Sequence, residues 1–152
     1  MDAVVARDVA RRLHGDQRTR FGELVVEHLA RVGAAVPEPA RAVAWLHDAL
    51  EGSGVTSYEL QVYGLTSTEL EALGLLTHVP AESYEMYVLR IARARGEAGR
   101  LARAVKLADL EDHLAHHSIP SDAPPYAWAR RRVAVARARD AGVDHVAATA
   151  RG

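Results

Sequence analysis

Residues 97–117 read EAGRLARAVKLADLEDHLAHH, and the reading of this stretch decides the fold. It runs as one long helix that carries Val105, Ala108 and Asp109 at helical spacing. Ala and Leu recur throughout the chain, and both favour helices; their modest volumes also let helices approach closely. N-terminal to this stretch, Ser83 is placed to cap a helix over 84–95, and TSTELEALGLLTH (66–78) opens with a cap-like Ser67 and acids in its first turn. A short helix is expected after the cap Thr56/Ser57. Earlier still, helices are expected over 39–50 (Val43, Leu46, His47, Leu50 inward), 23–36 (Leu24, Val25, His28, Leu29, Val32 inward) and 2–14 (Val5, Val9, Leu13 at four-residue spacing). The stretch GDQRTRFGE (15–23) is a loop, and Pro37 and Pro39 end one helix and start the next.

C-terminal to the long helix, SIPSDAPP (118–125) is a break, followed by a helix over 124–142 that Gly142 is expected to stop. Nothing alternates with period two, so the expected class is all-α, a compact multi-helix bundle. The chain is read as one domain, 1–152, with a core and candidate site in 1–117 and a C-terminal helix that packs back after the break.

The bulk numbers narrow the function classes. The sequence of 152 residues is 49% hydrophobic and 26% charged, ordinary for a globular protein. A formal net charge of −1 gives no basic field for nucleic acid or an acidic membrane, so neither partner is expected. No stretch approaches membrane-spanning length, and MDAVVARDVARRL lacks the apolar core of a signal peptide. The chain has no Cys, which excludes disulfides and thiolate metal sites and suits a cytoplasmic location. Any metal must therefore be held by His, Asp and Glu, and eight His is a high count for this length.

Four ionisable residues sit on or beside faces that should be buried. His28 lies four residues from both Leu24 and Val32; His47 lies four after Val43 and three before Leu50. Asp48 is its neighbour, and Asp109 lies four after Val105. Burying such groups is costly unless they are paired or bind a metal. Two His and two Asp converging from three helices meet that demand with one divalent cation. A nitrogen–oxygen set without sulfur suits Mn, Fe, Co, Ni or Zn with coordination positions left open. A single His on an apolar face is more often a core residue bonded to backbone, so the set carries the case.

Four segments appear in order: LHGDQRTRFGELVVEH (13–28), AWLHDALEGSGVT (44–56), LTHVPAESYEMYVLRI (76–91) and ARAVKLADLEDHL (102–114). Together they resemble the (p)ppGpp hydrolase domain of the RelA/SpoT family and its small stand-alone relatives, within the HD superfamily of metal-dependent phosphohydrolases. The resemblance spans about residues 6–117. It matches His14, Gln17, Gly22 and His28 to the family's first motif, His47–Asp48 to its metal-binding pair, Leu76, Thr77, Tyr84, Tyr87 and Arg90 to its Leu-Thr and Tyr-x-x-Tyr-x-x-Arg, and Lys106–Asp109 to the motif holding the last ligand. It implies a helical fold, usually Mn²⁺, and water attack that removes a 3′-pyrophosphate from a phosphorylated nucleotide.

The chain departs from that pattern at several places. The family's Glu-Asp catalytic pair is Glu51–Gly52 here, its Arg-Lys loop pair is Thr19–Arg20, and an Asn after the last ligand is His113. Glu51, one turn after His47 and Asp48, can serve as general base or acid, or stand as a solvated carboxylate. Asp48 and Glu51 are thus the catalytic candidates. Arg20, Lys106 and His113 are the substrate-binding candidates: Arg20 is alternatively a solvated loop Arg and Lys106 a partner for Asp109, while His113, one turn after Asp109, faces the site as a phosphate donor or proton shuttle. Tyr84 and Tyr87 line a pocket or pack the core. His116 and His117 read as surface or helix-end residues, and His78 and His145 as incidental. ARRRVAVARARD (129–140) carries five Arg and reads as a solvated basic face, because aromatics are not interleaved with it. The expected activity is hydrolysis of a phosphorylated nucleotide-like compound; an HD-type nucleotidase acting on other nucleotides, or a non-catalytic metal or nucleotide sensor, are the alternatives.

Overall fold

A computed structural model describes the backbone of residues 1–149 and the side chains of residues 1–142. The described chain is helical throughout: α1 (Ala3–His14), α2 (Val25–Ala35), a 3₁₀ turn (Glu38–Ala40), α3 (Arg41–Leu46), α4 (Ala49–Gly52), α5 (Ser57–Val62), α6 (Ser67–Leu76), α7 (Tyr84–Arg93), α8 (Gly96–His116) and α9 (Tyr126–Thr149). Among the described residues no strand forms; one isolated bridge pairs Arg18 with Leu24 across the 15–23 loop. No helix of the described residues is long and apolar enough to cross a membrane.

Local chemistry explains the helix starts. Asp2 accepts from the Val4 and Val5 amides, and Ser83 accepts from Met86. Thr56 and Thr66 each close a capping box with the glutamate three residues on, Glu59 and Glu69. The cap of α6 is therefore Thr66 rather than Ser67: only the residue that sits outside the helix with extended backbone can turn its hydroxyl back onto the third amide.

The long helix read from the sequence is α8, the axis of the bundle. It packs against α2, α3, α6, α7 and α9. A helix wrapped on so many sides must be narrow, and α8 meets the need with Ala98, Gly99, Ala102, Ala104, Val105 and Ala108, all buried. Gly99 is the tightest of these points, since a Cβ there would lie 2.6 Å from the Ala94 carbonyl oxygen.

Three expectations are corrected. The 39–50 helix is interrupted: α3 ends at Leu46 and α4 starts at Ala49, with His47 and Asp48 in the turn between them. The Ala44 carbonyl accepts from the His47 ring at 2.8 Å, a side-chain bond that competes with the backbone ladder at that point. The last helix continues past Gly142 to Thr149. Gly142 is not among the positive-φ glycines; a helical Gly costs about 1 kcal/mol but stops a helix only when it turns left-handed. In α1 the buried face is Ala6, Val9, Ala10 and His14, while Val5 is exposed. As expected, α9 packs back: Tyr126, Ala129 and Val133 belong to the same core as the earlier helices.

Candidate metal centre

Asp109 is the focus of the buried polar cluster. It projects from α8, is 4% exposed, and its two oxygens face different partners. Oδ2 accepts from Lys106 Nζ at 2.8 Å. Oδ1 faces three imidazole Nε2 atoms: His113 at 3.0 Å, His28 at 3.3 Å and His47 at 3.8 Å. Asp48 adds a further oxygen, 3.3 Å from His47 Nε2. Two overlapping groups, His28–Asp109–His113 and His28–His47–Asp48, each bring three donor atoms within 4.8 Å of one another. The four residues selected from the sequence as ligands are therefore together, and His113, read from the sequence as a substrate contact, lies beside them with its Nε2 3.0 Å from Asp109 Oδ1.

The far side of each ring determines what Nε2 can do. His28 Nδ1 lies 2.8 Å from Asp112 Oδ2, and His47 Nδ1 lies 2.8 Å from the Ala44 carbonyl oxygen. Both partners are acceptors, so Nδ1 carries the proton and a neutral ring presents a lone pair at Nε2. His47 Nε2 is buried with no hydrogen-bond partner among the described residues. An unpaired buried nitrogen is costly, and a cation would satisfy it.

The charges are strongly coupled. Burial alone would raise the Asp109 carboxyl, but the Lys106 ammonium and the three imidazoles hold it well below the usual range. Burial likewise opposes the charge on His47, yet Asp48 and Asp109 push it up to about 9; His28 moves in the same direction, with Asp109 outweighing burial. Lys106 is buried, and Asp109 holds it protonated despite the burial. Its ammonium also lies 5.1 Å from the Tyr87 ring centroid. The plainer alternative, that Lys106 pairs with Asp109, is what the geometry displays.

The cluster forms a wall shared by two cavities. One, of about 550 Å³, is lined among others by His14, Gln17, Arg20, His28, Asp48 and Glu51. The other, of about 210 Å³, is lined by His47, Tyr84, Tyr87, Lys106 and Asp109, and again by Asp48 and Glu51. Asp48, Glu51, His113 and Tyr126 face both. Arg20 is exposed at the rim of the larger cavity, with its guanidinium 5.6 Å from the Phe21 ring. Glu51 accepts from the His78 amide, so the carboxylate is anchored at the cavity mouth rather than solvated on all sides.

Other sequence readings change on contact with the fold. His78 is not incidental: it lines the smaller cavity and bonds the Glu82 carbonyl through Nε2. His145 lies outside the residues whose side chains are described. His117 is a packed residue, stacked on Phe21 at 4.2 Å and 2.8 Å from Glu23; His116, half exposed, fits the surface reading. Tyr84 and Tyr87 line the pocket and pack together, with Tyr87 donating to the Leu76 carbonyl at 2.5 Å. Desolvation pushes the Tyr87 phenol up to about 12. Arg90 serves the frame: it donates to the Gly74, Leu75 and Thr77 carbonyls and so satisfies the C-terminal end of α6. His14 is buried, bonded through Nδ1 to Gln17, which in turn donates to the Gly52 carbonyl.

The residues missed by sequence reasoning are Asp112 and Arg31. Arg31 grips Asp112 through Nε at 2.6 Å and a terminal nitrogen at 2.8 Å, and also reaches Glu23 at 2.8 Å. Asp112 follows Asp109 by three residues, a spacing that puts both on one face; that was the available signal. A third donor group, Glu23–Asp112–His117, is already occupied by the Arg31 cation and needs no metal.

Fold and site together define the class: an all-helical bundle with a buried His/Asp cluster competent to hold a metal. No family model matches the chain, and no curated protein sequence matches it.

Proposed function

We propose that the chain is a metal-dependent phosphohydrolase of the HD type, acting on a small phosphorylated nucleotide such as guanosine 3′,5′-bis(diphosphate). The observation that carries this reading is the convergence of the His28 and His47 Nε2 atoms on Asp109 Oδ1, with both rings locked from behind, so that a divalent cation would take the place of the Nε2 protons. His28, His47, Asp48 and Asp109 would hold the cation, with His113 a further donor. Mn²⁺ suits this oxygen- and nitrogen-rich set, as do Fe, Co, Ni and Zn. A bound divalent cation supplies Lewis acidity, which polarises a phosphoryl oxygen and lowers the pKa of water.

The chain's own residues supply the remainder. Glu51, anchored by the His78 amide at the mouth of both cavities, takes the proton from attacking water. Arg20 meets phosphate at the rim. Lys106 holds Asp109 ionised and oriented. Asp112 and the Ala44 carbonyl hold the Nδ1 proton of the two rings, so Nε2 is the nitrogen each ring would offer to the cation. The cavity of about 550 Å³ falls within the range of small-molecule sites.

A second reading, a sensor that binds metal or nucleotide without turnover, draws on two features. Lys106 already neutralises the carboxylate a cation would share, and Gly52 contributes no side chain beside Glu51. The test is hydrolysis of guanosine 3′,5′-bis(diphosphate) and a nucleotide panel by Mn²⁺-loaded protein, with calorimetric Mn²⁺ titration alongside. Turnover abolished by Asp48→Ala and Asp109→Ala supports the enzyme. Turnover untouched by both substitutions refutes the site, and Mn²⁺ binding without any cleavage favours the sensor.

A further inference from the structure

Another cavity lies away from the His/Asp cluster, between α7 and α9. It has a volume of about 400 Å³ and an apolar floor that includes Leu89, Val135 and Ala136. Arg93 from α7 and Arg131, Arg132 and Arg139 from α9 surround it, together with Trp128. No Asp or Glu lines it among the described residues.

The α9 residues fall on one face. Trp128, Arg132, Val135 and Arg139 follow at steps of three or four, and Arg131 lies three after Trp128 and four before Val135, so helical geometry alone puts one aromatic ring and three guanidinium groups on the same face. The basic run therefore does have an aromatic partner, one turn upstream, which a reading of adjacent residues overlooks. Arg132 already lies 5.7 Å from the Trp128 ring centroid.

The charge pattern distinguishes this cleft from an ordinary basic surface. Some neighbouring arginines are paired: Arg90 of α7 with Glu82, Arg130 of α9 with Glu111, and Arg103 of α8 with Asp140 of α9. Around the cleft no ion pair forms among the described residues; Arg132 lies against the Trp128 ring. Four like charges converging on one concavity repel one another, and a chain of net charge −1 has acids enough to neutralise them. A polyanion would relieve the repulsion with charge-assisted, bidentate bonds.

We propose that this cleft is a binding site for a nucleoside di- or triphosphate, distinct from the metal centre. The guanidinium groups take the phosphate chain, the Trp128 ring takes the base by stacking, and Leu89 and Val135 pack against the sugar. The concavity favours a mononucleotide over a nucleic-acid strand, because the cationic lining belongs to a single cavity of small-molecule size rather than a continuous track.

The test uses the full chain carrying Trp45→Phe, which leaves Trp128 as the sole tryptophan, in buffer containing EDTA so that the metal centre plays no part. ATP and GTP are titrated while Trp128 fluorescence is followed. Saturable 1:1 quenching is expected, with AMP or GMP at least about tenfold weaker and a steep loss of affinity with added salt. Arg131→Ala/Arg139→Ala is expected to weaken binding by about tenfold or more while the thermal melt stays unchanged, since both side chains are exposed. Arg41→Ala, exposed on another part of the surface, should leave binding intact. The proposal is overturned by quenching that does not saturate at millimolar nucleotide, by equal binding in the Arg131→Ala/Arg139→Ala variant, or by a single-stranded oligonucleotide that binds more tightly than any mononucleotide.

Discussion

The substitution Asp112→Asn tests how the cluster is held together. Asp112 is 7% exposed, accepts twice from Arg31, and faces His28 Nδ1. Burial raises its carboxyl, but Arg31 and His28 more than compensate and bring it to about 2, from an ordinary value of 3.8. A lowered pKa means the ionised form is favoured by folding, so its contribution is fully present above about pH 4 and is lost as pH falls through the folded value. That difference corresponds to about 2 kcal/mol at pH 7, shrinking to roughly half by pH 3. The amide adds a second effect. If its oxygen faces His28, its N–H₂ confronts the Arg31 donors; if its oxygen faces Arg31, its N–H₂ confronts Nδ1 and the His28 proton must move to Nε2. Either way the support that presents His28 Nε2 to the site is disturbed, and Mn²⁺ affinity should fall by roughly 10–100-fold. Urea unfolding at pH 7 and pH 3, with Mn²⁺ calorimetry at pH 7, measures both. A stability gap under about 0.5 kcal/mol at pH 7, or one that does not narrow in acid, would refute the charge argument.

The same reasoning extends to the frame. Arg103 is 4% exposed, donates to the Ile91 and Ala94 carbonyls, and holds Asp140 with two bonds, so Arg103→Ala should destabilise by about 3 kcal/mol or more, read as a lower denaturation midpoint at unchanged slope. Gly99→Ala places a Cβ against the Ala94 carbonyl and must push α7 from α8, at a cost of about 1–3 kcal/mol in the same assay. Thr66→Ala removes one half of the α6 capping box and should cost about 1 kcal/mol, whereas Ser67→Ala should change the melt little.

Much of the fold was legible in the sequence because helical periodicity, caps and breakers are local properties. The α8 stretch, the caps at Thr56 and Ser83, and the Pro-rich break before α9 are each written within a few residues. The errors arose where two local rules competed. Ser67 and Thr66 are both plausible caps, and only backbone geometry selects between them. Gly142 disfavours a helix without forbidding one, and α9 runs through it. His47 and Asp48 looked like mid-helix residues until the His47 ring was found on the Ala44 carbonyl.

The sequence by itself determined the all-helical class and the cluster of His28, His47, Asp48 and Asp109, because polar residues on apolar helical faces must meet inside. Only the tertiary structure decided how they meet. It placed Lys106 on Asp109 Oδ2, leaving Oδ1 to the rings, and it brought together Asp112 and Arg31, which are 81 residues apart in the chain. Hydrogen-bond direction, and hence the ring nitrogen that keeps its lone pair, depends on partners from other helices. Periodicity says which way a side chain points along its own helix, but not what waits for it there.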